Sequence, residues 1–368
     1  MTRHAPGSAR GFGLGDRQHD GEQSTHPQLV RHCCDPARHR CHPLCFYLAC
    51  AKRVSYPVRV PAPRVISLLP SATEIVYALG LGECLVGRSH ECDYPAEAQR
   101  LPVCTHAEID SSRPSEEIDR QIKARVARGL PIYRLDGNQL RALRPDVLIT
   151  QDQCGVCAVP QGELEKLLAT FPKPGPRLLS LSPQRLPDIW ANIQTVADTL
   201  GSPESGRVLL KQLKNRVADV ILLTAPLKRR PKVLCLEWLE PLMAAGNWVP
   251  ELVDLAGGTP VSAEAGKHSS WLTWEEIATQ APEVIVVMPC GFDLARTTEE
   301  MGRWRRNPGW SGLQAVRDGR VALVDGSHFF NRPGPRLVES LEILLEIFHP
   351  RLGSSDHAGR FWRLAERT

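Results

Sequence analysis

Three observations predict an α/β protein of two parallel-sheet lobes joined by a single long α-helix. Strand-like apolar runs alternate with helix-period segments along most of the chain, the pattern of parallel strands with crossover helices. One unbroken helical segment of roughly 20 residues, about 30 Å long at 1.5 Å per residue, separates two such alternating stretches. Three of the apolar runs also end in unusual polar, cysteine-bearing loops. Cys84 to Gly87 leads into Arg88-Ser89-His90-Glu91-Cys92-Asp93-Tyr94-Pro95. Val147 to Thr150 leads into Gln151-Asp152-Gln153-Cys154-Gly155-Val156-Cys157, and Val284 to Met288 into Pro289-Cys290-Gly291-Phe292-Asp293. Loops at the carboxyl ends of strands line the ligand crevice of an open α/β sheet. His90, Cys92, Cys154, Cys157 and Cys290 are therefore expected to face one cleft.

Taken in order, Arg64 to Leu69 reads as a buried strand that Pro70 ends. Ser71-Ala72-Thr73-Glu74 reads as a capping box, with Ser71 as N-cap, opening a helix that Gly80 stops after Leu79. Ile118 to Ala127 has helical spacing, and Asp136 caps a further turn through Leu143. The strand Val147–Thr150, the helix Gly162–Thr170 and the strand Arg177–Leu181 follow. Leu186 to Leu200 is an amphipathic helix broken by Gly201-Ser202-Pro203, and Glu204 to Leu223 is the long one. Beyond a basic linker, Pro226 to Pro231, the alternation resumes with the strand Lys232–Trp238, the helix Pro250–Leu255 and a Gly257-Gly258 turn. Thr273 N-caps a helix to Gln280. Val284–Met288, Asp293–Trp304 and Val321–Asp325 continue as strand, helix and strand, and Pro335–Phe348 closes the fold. The expected division is an N-terminal lobe over 61–202, a connecting helix and linker over 203–230, a C-terminal lobe over 231–350, and a peripheral tail over 351–368.

Residues 1–60 are rich in Arg, His, Gly and Pro without periodicity, and read as a disordered or misassigned N-terminal extension. Two other readings stand beside that one. Cys33, Cys34, His39, Cys41, His42 and Cys45 are zinc-type ligands, though their spacing matches no paired-ligand pattern. Leu44 to Ala51 is apolar around Cys50 and faintly resembles a lipoprotein signal, but a short basic start is lacking. As encoded the chain reads as cytoplasmic. A later start or export through the Cys50 region would place it in the periplasm or at the cell surface.

The net charge of +4 on 368 residues, with no basic stripe carrying aromatics, argues against a nucleic-acid partner. No apolar run approaches the roughly 20 residues of a membrane span. The chain has no G-x-G-x-x-G turn, phosphate loop or G-x-S-x-G elbow, which disfavours a dinucleotide enzyme, an NTPase or an α/β-hydrolase.

Several stretches carry a family resemblance. They are Arg64-Val-Ile-Ser-Leu-Leu-Pro-Ser-Ala-Thr-Glu74, Asp93-Tyr94-Pro95, Leu143-Arg-Pro-Asp-Val-Leu-Ile149, Ala281-Pro-Glu-Val-Ile-Val286 and Phe329-Phe-Asn-Arg-Pro-Gly-Pro-Arg336. From Pro61 to Pro350 the chain resembles the class III substrate-binding proteins of ABC importers, in their cobalamin-binding branch. The resemblance implies two α/β lobes on a stiff helix, a largely pre-formed cleft between them, no catalysis, no required cofactor and a monomer. It implies cobalamin or a related corrinoid as ligand and an ABC permease as partner. Carried over by position, the ligand wall comprises Pro70, Ser71, His90, Asp93, Tyr94, Gln151 and Asp152 from the first lobe. From the second it takes Trp238, Asn247, Trp248, Pro289, Gly291, Phe292, Phe329, Phe330, Asn331 and Arg332. Aromatic faces suit a corrin ring, and Asn, Gln and Arg suit its amides and phosphate. Permease docking in the family uses one carboxylate per lobe. Glu275 stands at the C-lobe position and Asn138 at the N-lobe one, with Glu116, Glu117 or Asp136 as substitutes.

Each site residue also has a plainer role. Small buried thiols are common, so Cys92, Cys154, Cys157 and Cys290 divide between structural cysteines, a redox pair, and zinc or iron ligands. A loop histidine such as His90 more often bonds a neighbouring polar group than a metal. Glu74 reads as a cap, and Trp271 and Trp274 as packing residues. Haem, a ferric siderophore or a metal ion is the alternative ligand. A cytosolic thiol- or metal-dependent corrinoid-processing protein is the alternative class.

Overall fold

The computed structural model describes residues 62–152, 161–354 and 356–366. By its internal contacts the chain divides into Met1–Val60 and Pro61–Thr368, and the second unit is the subject here. The expected zinc-type cluster at 33–45, the Cys50 signal, and Cys154 and Cys157 lie outside the described residues.

The N-terminal sheet is built from β1 (Val65–Ser67), β2 (Leu85–Arg88), β5 (Val147–Gln151) and β6 (Arg177–Leu181), in the order β2-β1-β5-β6. All of its pairings are parallel. Its strands read as continuous Val/Ile/Leu runs because both faces are covered. Helices α1 (Pro70–Ala78), α2 (Ser115–Val126), α3 (Gly137–Leu143), α4 (Gln161–Leu168) and α5 (Leu186–Thr199) belong to this half, and β3 (Thr105–Ala107) pairs only with β4 (Tyr133–Leu135).

The C-terminal half follows α6 (Pro203–Thr224). It holds β7 (Lys232–Trp238), β8 (Met243–Ala244), α7 (Val249–Leu255), β9 (Thr259–Pro260), β10 (Ser270–Trp271), α8 (Trp274–Gln280), β11 (Val284–Val287), α9 (Leu294–Trp304), α10 (Gln314–Arg317), β12 (Val321–Val324), α11 (Leu337–Phe348) and β13 (Trp362–Leu364). The sheet order is β10-β8-β7-β11-β12-β13, with β9 beside β7. Its centre, β7-β11-β12, is parallel, and the edges β8, β10 and β13 are antiparallel. The stretch after Pro350, expected to be peripheral, instead supplies that last edge strand. Buried Glu346 accepts bonds from Trp362 Nε1 and His357 Nδ1, both 2.7 Å, and so secures it.

Helix α6 has 22 residues and packs against both halves. Its Leu213 lies in the N-terminal core with Ile75, Ile149 and Val196, and its Val220 lies in the C-terminal core with Val286, Leu252 and Phe348. Helix α5 does the same, contributing Ile193 to the first core and Ile189 to the second. The connection is thus a helix pair, further tied to α11 by Arg216 with Glu342 at 2.7 Å and Glu339 at 3.3 Å.

Several local rules hold. Asp136, Thr273 and Asp293 cap α3, α8 and α9 by accepting backbone N–H bonds, and Thr273 with Glu276 forms a full capping box. The capping box expected at Ser71 and Glu74 does not form. Leu69 is the N-cap of α1, Pro70 opens the helix, and no side chain caps it. Glu74 is drawn away by two arginines of the other lobe.

Candidate functional site

The loop after β12 carries the side chains that reach across to the first lobe, and its backbone is fixed at nearly every step. Asp325 Oδ1 accepts from Ser327 N at 3.0 Å and His328 N at 2.8 Å, a turn typical of aspartate. A Cβ at Gly326 would stand 2.3 Å from the Pro289 carbonyl oxygen, so only glycine fits. Asn331 Nδ2 donates to the carbonyls of Met288 (3.0 Å) and Gly326 (2.9 Å). Phe330 sits at φ 64°, held by its N–H to Ser340 Oγ (3.0 Å) and by Trp248 Nε1 donating to its carbonyl (2.7 Å). A bulky residue in this left-handed region is strained, and it persists because the surroundings over-determine it.

The resemblance places several of these residues in a ligand wall, and the structure shows what each of them touches. Phe330, Phe329, Phe292 and Trp248 are buried core residues, and Asn331 is a backbone brace. Asn247 is the left-handed residue (φ 52°) that lets the chain enter α7.

Arg332, only 9% exposed, extends from the braced loop into the first lobe. It donates from Nη1 to Asp93 Oδ1 at 2.6 Å and to Glu74 Oε1 at 3.2 Å, and from Nη2 to Asp93 Oδ2 at 3.1 Å. Arg336 forks onto Glu74 at 2.9 and 2.5 Å, and its guanidinium lies 3.9 Å from the centre of the Tyr94 ring. His328 bonds Asp325 through Nδ1 at 2.8 Å and brings Nε2 to 3.6 Å from Asp93. Burial alone would raise the Asp93 carboxyl. The two bonds and the charge of Arg332, with His328 nearby, outweigh it and hold the carboxyl below its usual range. Burial likewise works against the charge on Arg332, yet its two carboxylate partners raise it well above the ordinary arginine value. Gly334 completes the contact. A Cβ there would be 3.4 Å from the Ser71 carbonyl oxygen, so α1 abuts the Pro333-Gly334-Pro335 turn. Of the residues expected to face a ligand, Asp93 thus pairs with Arg332 across the lobes, while Tyr94 faces Arg336 and Ser71 abuts Gly334.

His90 is held by Thr105 Oγ1 at 2.7 Å from Nδ1 and lies 5.3 Å from the Tyr133 ring. Burial first, then the charges of His106 and Arg88, lower its pKa to about 4, so the imidazole is neutral near neutral pH. Tyr133 donates to Glu91 at 3.2 Å. Glu91 is exposed, and desolvation by the protein around it raises its carboxyl.

Of the thiols expected to converge, Cys154 and Cys157 lie outside the described residues, and the two described ones lie on different lobes. Cys92 is fully buried, bonds Thr73 Oγ1 at 3.0 Å, and is pushed by burial to a pKa of about 11. In the structure it is a protonated thiol in the core. Cys290 is exposed on the other lobe. Among the described residues no group of three His, Cys, Asp or Glu side chains is arranged to hold a metal ion.

A cavity of about 790 Å³ lies between the lobes. Arg113, Ser115, Glu116 and Arg120 line it on one side, and Leu239, Glu240, Glu300, Arg303 and Trp304 on the other. None of the positions carried over by resemblance lines it, but Trp238 adjoins Leu239 and stacks edge-on with Phe292 at 5.4 Å, and Arg296 lies 3.7 Å over the Phe292 ring. Glu116 and Glu117, which both line the cavity, enter the sequence reading only as docking substitutes, and Ser115, Glu300 and the arginines do not enter it. No local motif marks them, because α2 reaches its partners only through the three-dimensional fold. Of the remaining expected positions, Glu275 is exposed in the first turn of α8. Asn138 is exposed and bonds Arg141 at 2.7 Å. Pro289 is buried, Pro70 and Gln151 are half-buried, and Gly291 and Asp152 are exposed. Trp271, expected to pack, is instead 56% exposed under Lys123, whereas Trp274 does pack, on Trp304. Among the described residues no helix is long and apolar enough to cross a membrane.

Residues 65–327 match the family model described as periplasmic binding protein. The chain is 27% identical over 287 residues to the vitamin B12-binding protein of Vibrio cholerae serotype O1, spanning 77% of this chain and 87% of that one. It is 27% identical over 310 residues to the vitamin B12-binding protein of Vibrio parahaemolyticus, spanning 83% and 96%. Among solved structures it resembles the periplasmic vitamin B12 binding protein BtuF of Vibrio cholerae, with a TM-score of 0.58 and 23% identity over 78% of this chain and 97% of that one. It also resembles the periplasmic heme-binding protein RhuT from Roseiflexus sp. RS-1, with a TM-score of 0.59 and 25% identity over 78% and 98%.

Proposed function

The chain belongs to the periplasmic binding protein family, and from that premise we propose that it binds cobalamin or a related corrinoid between its two lobes, without catalysis, as the substrate-binding component of an ABC import system. The observation that carries the ligand is the match, across most of both chains, to proteins named for binding vitamin B12. The geometry is compatible with it. The interlobe cavity presents guanidinium groups from Arg113, Arg120 and Arg303, carboxylates from Glu116, Glu240 and Glu300, and the Trp304 indole. Guanidinium and carboxylate groups suit the amides and phosphate of a corrinoid, and aromatic area suits its ring edge. Binding needs no reactive group, and the described thiols with raised pKa values, Cys84, Cys92, Cys104 and Cys235, are buried.

A haem reading is kept because structures named for haem binding match the fold as closely as the vitamin B12 one does. Competition separates the two. Protein equilibrated with an equimolar mixture of cyanocobalamin and haemin, then desalted, should retain the cobalamin spectrum. Retention of haemin alone rejects the corrinoid reading.

A further inference from the structure

We propose that the excursion β3–α2–β4 is a strap that supplies the first lobe's wall of the interlobe cavity and gates access to it through a clasp of Ser115 on Glu300 and Arg113 on Arg296. The inference rests on the reading of that cavity as the ligand compartment.

The strands of the strap are bonded to the loop after β2, Thr105 to His90 and Tyr133 to Glu91, but its helix is only lightly attached to its own lobe. Its two strands pair with each other and not with the four-stranded sheet. At its root Cys104 N–H bonds the Arg88 carbonyl at 2.8 Å, and Asp136 N–H bonds the Cys104 carbonyl at 2.9 Å. Of the residues of α2, only Ser115 and Ile118 are buried. An element with so little apolar burial sits at the low end of local stability and can open while the rest stays folded.

Its tip is nevertheless fixed to the other lobe. Glu300 Oε1 accepts both the Ser115 N–H, at 3.1 Å, and the Ser115 hydroxyl, at 2.6 Å, with both residues buried. Arg296 Nη2 donates to the Arg113 carbonyl at 2.5 Å. Lys123 lies 5.4 Å from the centre of the Trp271 ring. One opposing contact is built in. Glu240 of the second lobe faces Glu116 and Asp119 of the strap, and burial followed by those two charges raises its carboxyl. Every first-lobe residue lining the cavity lies between Arg113 and Arg120.

Size gives the clasp its role. The cavity of about 790 Å³ falls in the range of about 300–1,000 Å³ that suits a drug-sized ligand. A corrinoid with its nucleotide tail is larger. The stiff α5–α6 pair and the Glu74–Asp93–Arg332–Arg336 network hold the lobes together, so the lightly attached strap helix is the part free to yield.

The test is stopped-flow binding of cyanocobalamin to the full chain, together with hydrogen exchange of α2. Glu300→Ala and Ser115→Ala should each raise both association and dissociation rates, Glu300→Ala by about tenfold, with a smaller change in Kd. In the ligand-free protein Glu300→Gln, which keeps an acceptor for Ser115, should show wild-type exchange across 115–126. Without ligand, Glu300→Ala should speed exchange across 115–126 and leave 70–78 unchanged. Rates within twofold of wild type for both alanine variants overturn the gate. If the wild type does not bind cyanocobalamin, the corrinoid reading fails, and exchange alone judges the clasp. Faster exchange confined to α2 supports it, and unchanged exchange overturns it.

Discussion

Replacing Arg332 by alanine should weaken the tie between the lobes more than any surface substitution can, and its size can be worked from the contacts. Arg332 neutralises Asp93 through two bonds and shares Glu74 with Arg336. Breaking a buried ion pair by removing one partner costs about 3–5 kcal/mol, because a charge is left behind without its counterion. Arg332→Ala should lie near the lower end. Glu74 keeps Arg336 at 2.9 and 2.5 Å, and Asp93, 36% exposed with His328 at 3.6 Å, can recover water. Arg336→Ala should cost more, since Glu74 is 2% exposed and would keep only the 3.2 Å contact with Arg332. Arg332→Lys should recover only part, because an ammonium cannot fork onto one carboxylate while reaching another. At about 2 °C per kcal/mol, suited to a chain of this size, the Arg332→Ala loss lowers Tm by roughly 6 °C. Urea unfolding followed by fluorescence and circular dichroism measures it. The exposed Arg229–Glu283 pair is the control, with a change for Arg229→Ala of at most about 1 kcal/mol. An Arg332→Ala variant within about 0.5 kcal/mol of wild type would refute the reasoning.

Other consequences follow from the same geometry. The folded-state pKa of His90, about 4, lies below its unfolded value of about 6.5. Between those values the unfolded chain binds more protons, so stability falls as pH drops through that window. His90→Gln should flatten that part of the pH–stability curve, and an unchanged slope contradicts the assignment. Cys92 and Cys104, both buried and raised to about 11, should resist iodoacetamide at neutral pH in the folded protein and react once it is unfolded in urea, and peptide mapping distinguishes the two states. Trp248→Phe should cost about 1–3 kcal/mol by leaving the Phe330 carbonyl unpaired in the core. Chemical denaturation that shows no loss would mean that the bond does not brace the loop.

Local signals account for what could be read from the chain. The strand Lys232–Trp238 was placed at its observed ends because its apolar run is bounded by a proline-rich linker. Asp136 and Thr273 are legible as caps because capping depends on residues three apart. Ser71 and Glu74 fit the same pattern and misled, since Glu74 is claimed by Arg332 and Arg336, 258 and 262 positions away. A buried arginine partner outcompetes a cap, and nothing within a local window reveals it. The resemblance places Phe329, Phe330 and Trp248 in a ligand wall by position, and no local signal shows what the structure adds, that they are buried and brace the loop that aims Arg332. The strap helix was anticipated as a helix from Ile118. Its polar surface said nothing of Glu300, which lies 185 positions from Ser115.

Calorimetric titration of the purified full chain with cyanocobalamin, beside haemin and with metal analysis of the same sample, tests the central claim most directly. A saturable one-to-one isotherm for cyanocobalamin, with haemin weaker, is the predicted result. A flat cyanocobalamin isotherm from protein that retains haem or a metal ion would contradict the account of a corrinoid-binding cleft.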